Sequence, residues 1–240
     1  MFEDSRWFGF HWGEGPDIGG TFAPYTQSER RTSYIETFKA LRRGGWIYPC
    51  RCSRRDVERA LAAPHTGEEE PVYPGTCRAD ATLVAQFTDW NPSPNSPAPP
   101  AQPAGLPQVS WRFRVPDGET ISFVDGGAGA QAYVAGRDFG DFVVWRHDDV
   151  PAYQLAVVSD DIAMRITEVV RGRDLLMSTA RQLLLYRALG AAAPGFFHCP
   201  LMLDSRGVRL AKRHDALSLR ALREQGMTPE MIRASESFRG

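Results

Sequence analysis

Lysine is nearly missing from this chain. Of its 28 basic residues only Lys39 and Lys212 are lysines, so almost every positive charge is an arginine. Arginine offers a rigid planar fork of donors, whereas lysine is a compact charge on a flexible stem that can follow phosphate charge through a reaction. Net charge is also scarce, −1 over 240 residues, which excludes a generally basic nucleic-acid coat protein and leaves local patches to hold any RNA. No apolar run reaches the roughly 18 residues that would cross a bilayer. The opening Met1-Phe2-Glu3-Asp4-Ser5-Arg6 lacks the basic-then-apolar order of a signal peptide, so a cytoplasmic chain without membrane contact is expected. Cysteine is sparse as well: four residues are too few for a disulfide scaffold, and clustered thiols in a reducing compartment point to metal or chemistry.

The hydrophobic fraction, 42%, supports a sizeable core in one large domain or two small ones. Ser28 is placed to cap a helix that turns Tyr34, Ile35, Phe38 and Leu41 to one face and stops at Gly44-Gly45. Residues 53–62 read as a further helix, 65–70 as a polar loop, and 90–107, dense in Pro, Asn, Ser and Ala, as an irregular excursion. Residues 111–115 alternate as a half-buried strand, and Pro116-Asp117-Gly118 turns the chain back into 121–124, a hairpin. A second strand pair is expected from 142–145 and 153–158. Residues 166–170 read as another strand, and Ser178 or Thr179 as the cap of a helix bearing Leu183, Leu184 and Ala188 and closed by Gly190. Strand followed by helix predicts an α/β fold with a mostly parallel sheet.

Two constellations carry chemistry. On extended chain, residues two apart share a face, so the Cys50 and Cys52 thiols converge and can share an ion with Cys77. Zinc wants about four ligands in a tetrahedron, and Tyr73 or His65 is available for the fourth place. Three reduced structural thiols are the plainer alternative, and Cys199 reads as an ordinary packed one. The second constellation places Tyr153 at the start of an apolar stretch, Asp160-Asp161 after it, and Arg171 at the end of the next. Ligands in open α/β sheets bind at carboxyl ends of strands, where Arg171 would clamp a substrate carboxylate and the Tyr153 hydroxyl would orient it. A packed tyrosine and an arginine paired with an aspartate are the structural alternatives.

Several motifs in the correct order resemble a known family. Tyr153-Gln154-Leu155-Ala156-Val157-Val158, Asp160-Asp161, Val169-Val170-Arg171-Gly172, Asp174-Leu175-Leu176 and Ser178-Thr179-x-Arg181-Gln182 are similar to the second half of the class I glutamyl-tRNA synthetase catalytic domain. Gln154-Leu155 and Asp174-Leu175-Leu176 replace the Asn-Phe and Asp-His-Leu usual in ordinary members. With Tyr73-Pro74-Gly75-Thr76-Cys77-Arg78 they resemble the glutamyl-Q branch, which acts on tRNA(Asp). Arg209-Leu210-Ala211-Lys212-Arg213 resembles the family's ATP-handling lysine loop, with Arg209 in place of its first lysine and Ala211 in place of its serine.

The resemblance implies a Rossmann-type catalytic domain with an inserted zinc-binding, acceptor-type subdomain. Its expected division is 1–48, the remainder of the N-terminal half; 49–130, the zinc-binding insertion with a Pro-rich loop over 90–108; 131–213, the C-terminal half; and 214–240, a short helical segment. It implies activation of L-glutamate by ATP, with Mg2+, and esterification of queuosine at the wobble position of tRNA(Asp) by a monomer. Tyr153 and Arg171 would bind glutamate, Cys50, Cys52, Tyr73 and Cys77 a structural Zn2+, and Arg209, Leu210, Ala211, Lys212 and Arg213 ATP, with Lys212 catalytic. By the same resemblance residues 1–10 match the helix after the family's first glutamate-contacting segment, and no HIGH-type adenylate motif occurs. A coding start placed too late is therefore expected, ahead of a truncated pseudo-enzyme; as written the chain is expected to be unstable or inactive. No anticodon-binding domain is expected after Arg213. The alternatives are a piece of an ordinary glutamyl-tRNA synthetase and a non-catalytic tRNA-binding module using Arg51, Arg54, Arg55 and Arg59.

Overall fold

An aromatic cluster organises the first half of the molecule. In the computed structural model, which describes residues 2–53, 56, 72–92, 108–201 and 218–234, the Phe38 ring meets Trp111 at 5.1 Å, Trp145 at 5.4 Å and Trp90 at 5.9 Å, each edge-on. Such edge-to-face contacts set the positive rim of one ring against the negative face of another. The described helices are α1 (Phe2–Trp7), α2 (Arg31–Arg43), α3 (Ala81–Gln86), α4 (Tyr153–Ala163), α5 (Leu176–Ala188), α6 (Leu219–Glu224) and α7 (Pro229–Ala234). The described strands are β1 (Ile47–Cys50), β2 (Ser110–Phe113), β3 (Thr120–Asp125), β4 (Gly129–Val134), β5 (Phe142–Trp145), β6 (Glu168–Gly172) and β7 (Gly195–Cys199). The lysine loop, His65, the arginines 54, 55 and 59, most of the helix expected over 53–62 and most of the Pro-rich stretch lie outside the described residues.

Helix α2 buries Tyr34, Ile35, Phe38 and Leu41, as their helical spacing dictates, and the chain leaves it through Gly45 at φ +69°, a conformation that costs glycine nothing. Ser28 does not cap it. That serine lies in a 3-10 turn (Gln27–Glu29), and Arg30 precedes the helix with its side chain turned away, Nε donating to Asp160 at 2.5 Å.

Strand pairing departs from the hairpins expected. β2 is the centre of an antiparallel sheet of order β1-β2-β5, with Cys50 opposite Ser110 and Phe113 opposite Phe142, while β3 pairs antiparallel with β4. The turn after β2 exists, Glu119 N–H donating to Pro116 O at 3.1 Å, but a local reversal does not choose partners. Trp111 and Phe113 face an aromatic layer that β5 and α2 complete, with Phe113 stacked on Phe142 at 5.3 Å. Among the described residues only β6 and β7 are parallel, joined through α5 as a βαβ unit that sets Arg171 opposite His198.

Residues 153–158 are helical, not a strand, and form the first turns of α4. Gln154, Leu155, Ala156, Val158 and Ser159 are all buried because α4 packs between α2, α5 and β5. A helix buried on most sides has no polar stripe, and six apolar letters then look like a core strand. Asp160 and Asp161 consequently sit within α4 rather than beyond a strand end, and both are held structurally. Asp160 accepts from Arg30 and, at 2.9 Å, from Tyr34; Asp161 accepts from Tyr186 at 2.8 Å. Ser178 and Thr179 lie inside α5, which has no side-chain cap.

Candidate functional site

The thiols do converge. Cys50 ends β1, Cys52 follows two residues on, and Cys77 comes from the turn before α3; their three Sγ atoms lie within 4.8 Å of one another. A tetrahedral zinc with sulfur at about 2.3 Å requires sulfur atoms about 3.8 Å apart, so the set fits the ion. Tyr73 joins it: its hydroxyl oxygen is 3.3 Å from Cys50 Sγ and 3.5 Å from Cys52 Sγ, and it accepts from the Cys77 N–H at 3.0 Å. The Tyr73 backbone is clamped from behind, since a Cβ on Gly140 would stand 2.7 Å from Tyr73 N and 2.8 Å from its O. Burial pushes the Cys52 thiol up to about 11, so an ion must displace its proton to bind there. Arg112 of β2 completes the environment. Its Nε donates to Cys50 Sγ at 3.3 Å and its guanidinium lies 4.1 Å from the Tyr73 ring centroid. Three thiolates and a phenolate exceed the charge of one divalent ion, and Arg112 supplies a compensating cation.

The second centre is a polar network around Arg171, near the C-terminal end of β6. Its Nε donates to His198 Nε2 at 3.0 Å, and its Nη2 donates to Thr179 Oγ1 at 2.7 Å and Gln182 Oε1 at 2.8 Å. Gln182 in turn donates to Gln154 Oε1 at 2.9 Å, and Gln154 to Ser178 Oγ at 3.1 Å, which ties Arg171 to the first turn of α4 where Tyr153 stands half exposed. Behind His198 sits Asp125, at the end of β3, 2.6 Å from Nδ1. Burial would raise the Asp125 carboxyl, but hydrogen bonds from the His198 side chain and from the backbone N–H groups of His198, Ala128 and Gly127 outweigh it and hold the carboxyl at about 2. The turn carrying two of those amides is pressed onto β7, Gly126 N–H donating to Phe196 O at 2.8 Å. Gly127 is obligatory there, because a Cβ would overlap the His198 carbonyl oxygen.

Arg171 has five N–H groups, and the three on Nε and Nη2 are engaged by the protein. Nη1 has no partner among the described residues. The fork of two parallel bonds expected for this arginine is therefore reduced to its Nη1 end. A half-exposed tyrosine and a cation held by neutral hydrogen-bond acceptors, with one donor nitrogen unpartnered among the described residues, are suited to an organic carboxylate.

Residues 101–240 match the model of the class I tRNA synthetase catalytic domain of the glutamate and glutamine type. The chain belongs to this family. Among its synthetase relatives is the glutamyl-Q tRNA(Asp) synthetase of Symbiobacterium thermophilum, 46% identical over 95% of this chain and 66% of that protein. The corresponding synthetase of Nitratidesulfovibrio vulgaris is 45% identical over 95% of this chain and 65% of its own length. A glutamate–tRNA ligase of Halorhodospira halophila is 40% identical over 97% of this chain and 46% of its own length. This chain thus spans just under two thirds of the synthetases it matches best among these. The fold agrees: a crystal structure of the glutamate tRNA ligase of Elizabethkingia meningosepticum in complex with its amino acid superposes with a TM-score of 0.69 at 26% identity, over 89% of this chain and 41% of that one. Among the described residues of this synthetase-family chain, no helix is long and apolar enough to cross a membrane.

Of the candidate site residues read from the sequence, the structure brings Cys50, Cys52, Tyr73 and Cys77 together and sets Arg171 in the polar network near Tyr153. Asp125, His198, Gln182 and Arg112, which stand in the same two centres, were not among those candidates. His198 did carry a signal, a lone polar residue between Phe197 and Cys199 in an apolar strand, but its meaning depends on lying opposite Arg171.

Proposed function

We propose that this chain carries part of the catalytic domain of an ATP-dependent ligase that activates L-glutamate and transfers it to queuosine at the wobble position of tRNA(Asp). The observation that carries the reading is Arg171, anchored by His198, Thr179 and Gln182 with Nη1 left for a carboxylate, in a chain 46% identical to a glutamyl-Q tRNA(Asp) synthetase. In this reading Arg171 and Tyr153 hold glutamate, and the glutamate carboxylate attacks the α-phosphorus of Mg2+-bound ATP. The α–β phosphoanhydride bond breaks, and pyrophosphate leaves. Lys212 offsets the charge growing on the phosphates, with Arg209, Leu210, Ala211 and Arg213 as the further ATP-binding residues; this is positioning and electrostatic stabilisation without a covalent enzyme intermediate. A hydroxyl on the queuosine ring then attacks the adenylate carbonyl and releases AMP.

Cys50, Cys52, Tyr73 and Cys77 hold a structural zinc in this reading, with Arg112 offsetting its excess negative charge. The protein works in the cytoplasm as a monomer. The test is glutamate-dependent ATP–pyrophosphate exchange, followed by acceptor assays. Labelled glutamate should appear on queuosine-containing tRNA(Asp), and on tRNA(Glu) if the chain is instead part of an ordinary glutamyl-tRNA synthetase, a reading the 40% identical ligase relative keeps in view. No exchange and no transfer from a chain that contains all residues 1–240 would overturn the catalytic reading in favour of tRNA binding alone.

A further inference from the structure

Arginine has donors only, so the partner of Arg171 Nε must accept. That partner is His198 Nε2, 3.0 Å away, on a side chain with no solvent exposure. An imidazole that accepts at Nε2 carries its proton on Nδ1, where the Asp125 carboxylate stands at 2.6 Å to receive it. The carboxylate is itself fixed by three backbone amides, from Gly127 at 2.9 Å, Ala128 at 2.7 Å and His198 at 3.0 Å. The chain of constraint therefore runs from a backbone turn through a carboxylate and a single imidazole tautomer to one edge of a guanidinium, and among the described residues the opposite end, Nη1, has no partner.

We propose that Asp125 and His198 form a positioning pair that sets the orientation of Arg171, with His198 neutral and protonated on Nδ1, so that Arg171 Nη1 is presented to the substrate carboxylate. Neither residue touches substrate; both act through Arg171. The inference rests on the glutamate-binding reading above, but its structural half is independent of it. Groups that fix the orientation of a binding or ligating side chain are commonly worth a factor of ten or more in affinity although they never contact the ligand.

The test uses the full 240-residue chain, uniformly labelled with nitrogen-15. Long-range proton–nitrogen spectra report the tautomer of each of its five histidines, with His198 assigned by its loss in His198→Gln. A neutral Nδ1–H ring is expected; an imidazolium or an Nε2–H ring overturns the proposal. Calorimetric glutamate titration should then show His198→Leu weakened roughly ten- to a hundredfold with ATP affinity unchanged. His198→Gln should recover most of the loss, since its amide can accept from Arg171 and donate to Asp125. A folded His198→Leu with wild-type glutamate affinity overturns the proposal. Should His198→Leu fail to fold, His198→Gln is compared with the shorter His198→Asn, and equal affinities overturn it. If the wild-type chain binds no glutamate, the functional reading fails and the pair is judged by the Arg171 Nε–H resonance. Its loss in a folded His198→Leu, or in His198→Asn where leucine does not fold, with retention in His198→Gln, supports the pair; no change in the shorter variant overturns it.

Discussion

The thiol cluster and the Arg171 network solve opposite charge problems. The cluster gathers three sulfurs and a phenol from residues 50–77 at the edge of the antiparallel sheet, and its donors become strongly negative once deprotonated. On the zinc-binding reading it is completed by a cation, since Arg112 alone does not supply enough charge for three thiolates and a phenolate. The network surrounds one cation with neutral hydrogen-bond acceptors from α5 and β7 and keeps the Asp125 carboxylate a residue further back, behind His198. On the zinc-binding reading proposed above, one region is finished by a metal, the other by protein dipoles. The first should therefore respond to chelation and the second to the removal of single hydrogen-bonding groups, with little crosstalk, because they sit on different sheets.

The largest expected effect is at Arg171. Arg171→Ala removes the cation but leaves its acceptors buried, and truncating one member of a buried charged hydrogen-bonding set costs about 3–5 kcal/mol. Glutamate titration of pyrophosphate exchange should show kcat/KM for glutamate falling by roughly a hundred- to a few thousandfold, with zinc content unchanged. A variant that also lost its zinc would break the separation of the two regions. Next is metal removal. If zinc had been held at about 100 times its Kd, chelation should lower unfolding free energy by about 2.7 kcal/mol. Thermal melts with and without chelator check this, and metal analysis should find one zinc per reduced chain. An unchanged melt would return the cysteines to ordinary packed thiols.

Arg112→Met keeps the apolar stem and removes the charge beside Cys50, so competition with a chromophoric chelator should show zinc affinity reduced by about 1.5 kcal/mol, a little over tenfold. An unchanged affinity would mean that the cluster's negative charge is met elsewhere. The last comparison is a pH dependence. The Asp125 carboxyl is lowered in the folded chain from its ordinary 3.8 to about 2. Its contribution is therefore fully present above about pH 4 and is lost as the pH falls through 2, when the folded form must also take up the proton. Urea midpoints of wild type and Asp125→Asn should converge over that window. A constant difference down to pH 2 would show that Asp125 titrates normally.

How much of each region could be read in advance follows from sequence separation. Cys50 and Cys52 are two apart on extended chain, and Tyr73 and Cys77 four apart around a turn, so local geometry alone nearly assembles the ligand set. The Arg171 network joins residues 46 positions apart, at Asp125 and Arg171, through strands whose pairing was not predictable from their own letters. The α4 reading failed for a related reason: burial on several sides erased the polar stripe that distinguishes a helix.

By itself the sequence determined the burial face of α2, the close thiols, the turn and helix-stop glycines and, through dispersed motifs, the synthetase family. These depend on periodicity, φ preference and residue chemistry, which act over a few positions. Tertiary structure alone decided that β2 pairs with β1 and β5, that 153–158 coil into a helix, and that His198 stands between Asp125 and Arg171. Those outcomes depend on which apolar faces meet, and on buried polar groups finding partners across the fold, which no short stretch of chain contains.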